Sequence, residues 1–301
     1  MKYISVIIPA FNEEKNIKEC ISSVLNQSYP KDFYEIIVVD NNSCDRTFEL
    51  ARSFPIKCLK ETEIQGPSAA RNRGVLEAKG EIFAFIDADC IAHRRWLEEG
   101  IKKFKKDIGC VGGRSNATNP TNFFQKILID IGATIGAQDG PLRTYYYPYF
   151  PTLNVFYKRE VFEKIGLFDT ELLTGEDVDF CWRMQFYTDY KMDFAPDAIV
   201  FHKCKESLSS LFKQRKSYAK GRVLLIKKHS DKIPKRSFRE VYWGYFNLLS
   251  SIKDLIFKRT LAFIFRKSNE FWYKEYIRVI LSLGTKLGHL EGSLKYRFFY
   301  P

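Results

Sequence analysis

Hydrophobic and polar positions follow two alternating spacings along the first ninety residues of the chain. Short apolar runs of strand type are separated by segments in which apolar residues recur every three or four positions. The runs cover residues 3–8, 34–39, 55–59 and 81–86, and the helical segments cover residues 13–26, 47–54 and 68–79. This alternation is typical of a parallel sheet covered by helices, in which ligands bind at the carboxyl ends of the strands.

The pattern loosens after Gly80 and becomes entirely helical from Ser207 onward. Between these points we expect a strand at 109–113, a helix at 123–137, short helices at 158–165 and 177–187, and a closing strand at 198–202. The segment 227–236, which contains Pro234, is the best candidate for a boundary. The sequence therefore predicts an α/β catalytic domain over residues 1–226 and an α-helical region over residues 227–301.

Composition and cysteine spacing indicate a globular protein of a reducing compartment. The chain has 301 residues, of which 45% are apolar and 28% charged, so a disordered or fibrous protein is excluded. Its seven cysteines are odd in number and none stands at C-x-x-C spacing, which favours free thiols. The N-terminus lacks the apolar core of a signal peptide, and no uncharged apolar run approaches the ~18–20 residues of a membrane span. We therefore expect a cytoplasmic location.

The net charge of +12 is concentrated in the last third of the chain. Residues 205–301 contain 22 Lys and Arg against 7 Asp and Glu, a net of +15, whereas residues 1–204 carry a net of −3. A strongly basic segment beside a nearly neutral one indicates an anionic partner, either a nucleic acid or a membrane surface.

Residues 241–256 favour the membrane surface. Apolar side chains recur there at helical spacing, starting at Val241, and basic residues such as Lys253 and Lys258 border them. Such a helix is typical of one lying at the interface of an anionic membrane, here the inner face of the cell membrane. Nucleic acid is disfavoured because the aromatic residues fall within apolar stripes. The alternative is a helical hairpin packed on the catalytic domain with a solvated basic rim.

The fourth strand ends in Asp87-Ala88-Asp89. Two carboxylates just past a buried strand can turn toward one ligand, and divalent cations often lie between such carboxylates and a diphosphate. An Asp-x-Asp sequence also arises by chance in acidic stretches, where it caps the following helix.

One further strand end and one helix start carry polar or small residues. Asp40 and the following Asn41, Asn42 and Ser43 suit hydrogen bonding to a base or ribose, although the same residues favour turns. Small residues precede Arg71 at a helix start, where a diphosphate can approach the backbone, or where the arginine simply lies on a solvated face. The sequence contains neither a G-x-x-x-x-G-K-[ST] nor a G-x-G-x-x-G loop, which counts against ATPases and dinucleotide enzymes.

A later helix opens with Glu176, Asp177 and Asp179. Three carboxylates within four positions repel one another, which raises a pKa toward the range of a general base. The alternative is structural, because the helix dipole favours acidic residues in a first turn. His202 follows the closing strand, and a lone histidine is more often structural than a ligand.

Together these motifs resemble family-2 inverting glycosyltransferases of the GT-A fold. The resemblance covers about residues 3–222 and rests on strings that stand in the order of the family. The strings are 5–14, 38–43, 69–72, 87–89, 154–160, 166–169 and 175–177, with Asp179 and Arg183. The resemblance implies an α/β GT-A fold, Rossmann-like, with a mostly parallel sheet and helices on both faces, followed by an α-helical C-terminal region.

The resemblance also implies a donor site for a nucleotide sugar, either a UDP-sugar or a GDP-sugar. The residues that would surround the base and the ribose are Pro9, Phe11, Glu13 and Asp40, and those against the ribose-diphosphate are Ala69 and Arg71. Arg71 would help to neutralise the departing diphosphate.

The remaining roles concern the metal, the sugar and the acceptor. Asp87 would face the sugar nucleotide, and Asp89 would hold a divalent cation, manganese or magnesium. His202 matches a histidine that completes the metal site in some relatives. Asp177 matches the catalytic base, and Glu176 the residue that positions the acceptor or the base.

The resemblance implies a single displacement with inversion onto an acceptor hydroxyl of a glycan, and docking of the basic end on a membrane adds a lipid-linked glycan precursor as the expected acceptor. Residues 214–218 lack the Trp of the Q-x-x-R-W motif of processive synthases, which implies one transfer per encounter. Two other classes stay open. A nucleotidyltransferase acting on sugar phosphates also uses paired carboxylates, but is expected to have a basic glycine-rich loop after the first strand. A non-catalytic binder of anionic surfaces or nucleic acid would leave Asp87, Asp89 and Asp177 without a role.

Overall fold

The computed structural model of the protein describes residues 1–132, 137–142, 146–205, 207–234, 238–266 and 270–300, without the side chains of residues 238, 240, 241 and 244. The strands of this part are β1 (Ile4–Ala10), β2 (Tyr34–Asp40), β3 (Lys57–Lys60), β4 (Ile82–Ile86), β5 (Cys90–Ala92), β6 (Ile108–Ala117), β7 (Asn154–Lys158) and β8 (Lys191–His202). The α-helices are α1 (Ile17–Leu25), α2 (Thr47–Arg52), α3 (Pro67–Glu77), α4 (Trp96–Lys102), α5 (Phe123–Asp130), α6 (Arg159–Ile165), α7 (Glu176–Tyr187), α8 (Leu208–Lys228), α9 (Phe238–Ile264) and α10 (Glu270–Tyr296).

The eight strands form one sheet in the order β3-β2-β1-β4-β7-β6-β8-β5. The first four strands of that order are parallel, so their carboxyl ends share one edge, as the sequence predicts. The other half is mixed: β7 is antiparallel to both β4 and β6, β8 is parallel to β6, and β5 is antiparallel to β8. The expected α/β fold with a GT-A type of sheet is confirmed.

Helices cover both faces of the parallel half. Alternate side chains of a strand point to opposite faces, and Val6 and Ile8 of β1 pack with Ile17 of α1 in one core cluster. Ile7 points to the other face, where a side chain on Gly74 of α3 would come within 2.5 Å of it. The glycine at position 74 therefore lets α3 lie directly on the sheet.

Three elements were not expected from the sequence: β5, α4 and β7. All five residues of β7 are buried. Its Asn154 donates to the carbonyl oxygens of Arg114 at 2.8 Å and Ala198 at 2.9 Å, and accepts from Trp96 Nε1 at 2.8 Å. These partners lie 40 to 58 residues away along the chain. The strand is held by contacts that local hydrophobic spacing does not show.

The chain divides into two compact units, residues 1–118 with 134–203, and residues 119–133 with 204–301. The expected boundary between residues 226 and 227 falls inside α8, and the whole of this helix belongs to the second unit. The expected boundary was based on the change in charge and on the proline near residue 230. Which unit contains α8 depends instead on the size of the side chains that pack against this helix.

Close packing of α10 on α8 explains this assignment. Gly284, Gly288 and Gly292 recur every four residues and form a stripe on α10. A side chain on Gly288 would collide with the carbonyl of Lys216, and one on Gly292 would come within 2.8 Å of Val223. Glycine removes the side chain that would otherwise separate the two helix backbones.

The second unit also contains a small apolar core to which α5 contributes. Ile127 and Leu128 of α5 cluster with Leu211 of α8 and Ile277 of α10. The helix expected at 123–137 ends at Asp130 in the structure, and the later positions 133–136 of that prediction lie outside the described residues.

Helix α9 exposes an apolar face. The large side chains on this face are between 46% and 87% exposed: Tyr242, Phe246, Leu249, Ile256, Phe257 and Phe263. The basic residues Lys253, Arg259 and Arg266 are also exposed, whereas the side chain of Val241 lies outside the described part of the chain. Within the described ranges, none of the helices combines the length and apolar character that a membrane span requires.

Candidate active site

The carboxyl ends of β1 and β2 bring the expected base and ribose residues together. Pro9 pairs with Val39 and Ala10 with Asp40 in the parallel register, so Pro9 and Asp40 lie on adjacent strands at the same edge. Phe11 follows β1 and is 50% exposed. This edge of the sheet therefore carries Pro9, the exposed ring of Phe11 and the carboxylate of Asp40.

Asp40 is buried with one oxygen unsatisfied. Its Oδ2 atom accepts a 3.4 Å hydrogen bond from the Ser43 N–H, while Oδ1 has no hydrogen-bond partner among the residues that the structure describes. A buried acceptor without a donor costs free energy. A ligand hydroxyl or N–H, as on a ribose or a base, would supply the missing donor.

The loops after β1 and β2 are cross-linked. Asn12 adopts a left-handed φ of 55°, and its N–H donates to Ser43 Oγ at 2.9 Å. The Glu13 N–H donates to Thr47 Oγ1 at 2.7 Å. The Glu13 carboxylate accepts from Asn16 at 2.6 Å, so this side chain is engaged at the start of α1.

Asn41 has a role that sequence reasoning missed. Its amide donates to the carbonyl of Ile64 at 2.8 Å, and its Oδ1 atom accepts from the Gly66 N–H at 2.6 Å. It therefore fixes the loop that leads into α3. The sequence gives one signal for this role, an asparagine directly after the strand-end Asp40.

Arg71 lies in a buried position between two carboxylates. Its Nη1 atom is 2.7 Å from Glu176 Oε1 and its Nη2 atom is 2.8 Å from Asp87 Oδ1, with only 4% of the side chain exposed. Burial disfavours the charge, but Asp87 and Glu176 outweigh it and raise the pKa of Arg71. Both terminal nitrogens of Arg71 bind carboxylates, and its expected place against the ribose-diphosphate stays a prediction. Ala69, one turn earlier, is also buried.

Asp89 and His202 meet on neighbouring strands. Cys90 pairs with His202 in the β5–β8 ladder, and Asp89 Oδ2 lies 3.4 Å from His202 Nε2. The Cys90 sulfur lies within 4.8 Å of both ligand atoms, but this residue is 1% exposed and packs in the apolar core. A carboxylate and an imidazole suit manganese or magnesium better than a buried thiol does. Asp89 and His202 therefore fit the expected divalent cation.

The three carboxylates at the start of α7 lie in three different environments. Gly175 has a left-handed φ of 87° before the helix. Asp179 is paired with Arg183 at 2.7 Å, so its charge is neutralised. Glu176 is buried, and burial raises its pKa although Arg71 partly offsets this. Asp177 is half-buried, and burial followed by repulsion from Glu176 raises its pKa to about 7.

Arg71 thus connects the end of β4 to the start of α7, and the strand ends beside them carry Asp40, Asp89 and His202. A sheet of this topology with carboxylates at these positions defines a GT-A glycosyltransferase. The chain belongs to glycosyl transferase family 2, whose model matches residues 5–166. The enzyme class is therefore a glycosyltransferase, and the nucleotidyltransferase and non-catalytic alternatives are displaced.

Three known proteins illustrate the similarity. The chain is 35% identical over 231 residues to glycosyltransferase AglE of Haloferax volcanii, covering 74% of each sequence. It is 27% identical over 263 residues to dolichyl N-acetyl-alpha-D-glucosaminyl phosphate 3-beta-D-2,3-diacetamido-2,3-dideoxy-beta-D-glucuronosyltransferase of Methanococcus voltae, covering 83% of this chain and 77% of that one. The fold is similar to that of the mannosyltransferase PcManGT from Pyrobaculum calidifontis, solved with GDP-Man and Mn2+, with a TM-score of 0.67 and 20% identity over 98% of this chain and 88% of that one.

Proposed function

We propose that the protein transfers one sugar from a UDP- or GDP-sugar to a hydroxyl of a lipid-linked glycan precursor, with inversion at the anomeric carbon. The observation that carries this proposal is the Asp87–Arg71–Glu176 bridge, which joins the donor-side strand end to the acidic start of α7. It supports a site in which the donor sugar and the acceptor hydroxyl meet beside Asp177.

Asp177 is the general base of this proposal. Its pKa of about 7 lets it accept a proton near neutral pH and still ionise without a large cost. As the acceptor oxygen attacks the anomeric carbon, Asp177 takes the hydroxyl proton, and the bond from that carbon to the diphosphate oxygen breaks. One in-line step of this kind inverts the configuration.

Asp89 and His202 are the proposed ligands of a divalent cation, manganese or magnesium. When bound, such a cation supplies positive charge to the leaving nucleoside diphosphate. Asp40 and its uncompensated Oδ1 atom hold the ribose or the base, with Pro9, Phe11, Glu13 and Ala69 around them. Arg71 holds the side chains of Asp87 and Glu176 in place, because its two terminal nitrogens bind one carboxylate each.

A lipid-linked acceptor is favoured by two independent observations. The Methanococcus voltae relative is named for transfer to a dolichyl phosphate-linked sugar. Residues 205–301 carry a net charge of +15, and α9 exposes aromatic and aliphatic side chains beside basic ones. We propose that this face of α9 docks on an anionic membrane, at the cytoplasmic face, where the acceptor would be presented.

The test is a transfer assay with the full chain. UDP- and GDP-sugars are offered with Mn²⁺ and a polyprenyl-phosphate-linked N-acetylglucosamine, and products are identified by mass spectrometry. We expect one added sugar, about 10²–10⁴-fold less of it per unit time with Asp177→Asn, and unchanged transfer with the control Asp197→Asn, whose side chain is exposed on β8. Transfer only to soluble glycans would remove the lipid-linked acceptor, and equal rates in both variants would remove Asp177 as the base.

A further inference from the structure

Helix α3 carries a buried polar face that contacts one segment of the chain repeatedly. Ser68, Arg71 and Asn72 are 1%, 3% and 9% exposed, although all three are polar. Arg71 and Asn72 lie one helical turn after Ser68, and each of the three residues has a partner in the segment 168–176, which leads into α7. Buried polar groups are retained in a fold only with such partners.

Asn72 binds the backbone of Phe168 at both ends. Its Nδ2 atom donates to the Phe168 carbonyl at 2.8 Å, and its Oδ1 atom accepts from the Phe168 N–H at 2.9 Å. Both hydrogen bonds are buried and join positions 96 residues apart in the chain. The amide thus pairs with the backbone as a neighbouring strand would, and fixes both the position and the orientation of that peptide.

The other two side chains extend this contact. Ser68 Oγ donates to the Leu172 carbonyl at 3.2 Å, and Arg71 binds the Glu176 carboxylate at 2.7 Å. The partners Phe168, Leu172 and Glu176 are spaced four residues apart. One face of α3 therefore holds the whole approach to the acidic end of α7.

Arg183 anchors the same approach from α7 itself. Its Nη1 and Nη2 atoms donate to the carbonyls of Ile165 at 2.7 Å and Leu167 at 2.8 Å. The segment between these anchors and Gly175 is otherwise a loop in which Leu173 is 56% exposed. The ring of Phe168 packs on other aromatic rings, but the α3 contacts alone bind the polar groups of Phe168, Leu172 and Glu176 to the helix that also binds Asp87.

We propose that Asn72, supported by Ser68, is a positioning residue that sets the placement of Glu176 and Asp177 relative to Asp87. Its catalytic consequence rests on the proposed function, whereas its structural action on residues 168–176 does not. Because Arg71 on the same helix binds Asp87 as well as Glu176, α3 acts as a common reference for both sides of the site. A displacement of about 1 Å at the reacting groups can cost on the order of 10²-fold in rate.

The experiment compares Asn72→Asp and Asn72→Ala with the matched control Arg73→Ala. The aspartate keeps the acceptor for the Phe168 N–H and places an oxygen against the Phe168 carbonyl, at nearly the same size. Arg73 is the next residue on α3, its side chain is 43% exposed, and it forms an ion pair with Glu77 at 3.4 Å. Hydrogen exchange of the 166–176 backbone, nucleotide Kd, kcat and acceptor KM are measured for each.

We expect exchange across residues 168–176 to become about tenfold faster in both Asn72 variants and to stay unchanged in Arg73→Ala. We expect kcat to fall roughly 10–100-fold while the nucleotide Kd stays within about twofold. Unchanged exchange would show that Asn72 does not hold residues 168–176 in place, whether or not the protein transfers sugar. Faster exchange with unchanged kcat, or a parallel loss of kcat and nucleotide binding, would overturn the positioning role and leave a structural one.

A wild-type protein that transfers no sugar would contradict the proposed function. The exchange comparison would still test whether the contact between Asn72 and Phe168 holds residues 168–176 in place. The milder variant Ser68→Ala removes one hydrogen bond and serves if the Asn72 variants do not fold. It is expected to change exchange near Leu172 more than near Phe168.

Discussion

Arg71 and Glu176 form an ion pair of 2.7 Å in which both side chains are more than nine-tenths buried. Taking two charges out of water costs several kcal/mol, and an ion pair offsets this only when further contacts satisfy it. Asp87 supplies that contact on the other side of the guanidinium. The stability of the ion pair between Arg71 and Glu176 therefore also depends on Asp87.

Arg71→Met is expected to destabilise the protein in a way that depends on pH. It leaves the buried Glu176 without a cation, and loss of such a partner costs about 3–5 kcal/mol. Without Arg71 the pKa of Glu176 rises further above its unfolded value, so the native state holds the proton more tightly and stability falls as pH rises. Urea unfolding should show a larger loss at pH 8 than at pH 5. Arg73→Met is the control, and an equal loss at both pH values would contradict the ion-pair account.

The activity of the wild-type protein is expected to fall below neutral pH. Burial and Glu176 raise the pKa of Asp177 to about 7, and a base must be unprotonated to accept a proton. kcat/KM should therefore rise with pH through about 7 and then level off. The contribution of Asp177 to stability should fall as the pH rises from about 4, where the unfolded chain ionises, to about 7, where the native carboxyl ionises too. A pH profile at saturating Mn²⁺ measures this. A limb near pH 4, the usual value of an aspartate, would contradict a base whose pKa is raised to about 7.

Asp89→Asn and His202→Ala are expected to weaken binding of Mn²⁺. Each removes one of the two side chains that fit the cation, and carboxylate and imidazole ligands account for most of the affinity in such a site. Calorimetric titration of Mn²⁺ in the presence of UDP or GDP should show at least a tenfold loss, consistent with the roughly 10–100-fold known for changes near metal ligands. Asp197→Asn should leave the titration unchanged. Undiminished Mn²⁺ binding in both variants would place the cation elsewhere.

Binding of the protein to vesicles is expected to require anionic lipid. Each basic residue near an anionic leaflet contributes about 1 kcal/mol, and the exposed apolar side chains of α9 would add insertion into the interface. In flotation assays, recovery should fall as salt rises and should also fall with the double variant Phe246→Ser and Phe257→Ser. Leu76→Ser, which removes a 67% exposed apolar residue from α3, is the control. Equal recovery with neutral and anionic vesicles would contradict the electrostatic part.

Local sequence spacing predicted the parallel half of the sheet well, because its strands are continuous apolar runs and its helices have one apolar side. It placed Asp40, Asp89 and Asp177 at strand or helix ends for the same reason. β7 was missed because Asn154 and its neighbours are stabilised by partners on β6, β8 and α4. The burial of Arg71 was missed because an arginine on a helix looks solvated until Glu176, 105 residues later, folds beside it.

The boundary of the second unit could not be predicted from charge. The glycine stripe of α10 determines which helix packs against α10. The spacing Gly284, Gly288 and Gly292 is visible in the sequence, but its partner α8 is not. The pairing of Asp89 with His202 was expected from the resemblance alone, and in the structure it depends on the β5–β8 ladder.

The small core around Ile127 has a consequence for how the chain is made. Ile127 packs with Leu211 and Ile277, so its last partner is synthesised 150 residues after it. At about 5–20 residues per second, synthesis of those 150 residues takes roughly 8–30 s, and the last strand of the sheet, β8, is made about half-way through that time. The apolar side of α5 therefore stays uncovered in the nascent chain until translation reaches α10, and exposed apolar surface of this kind is what chaperones protect.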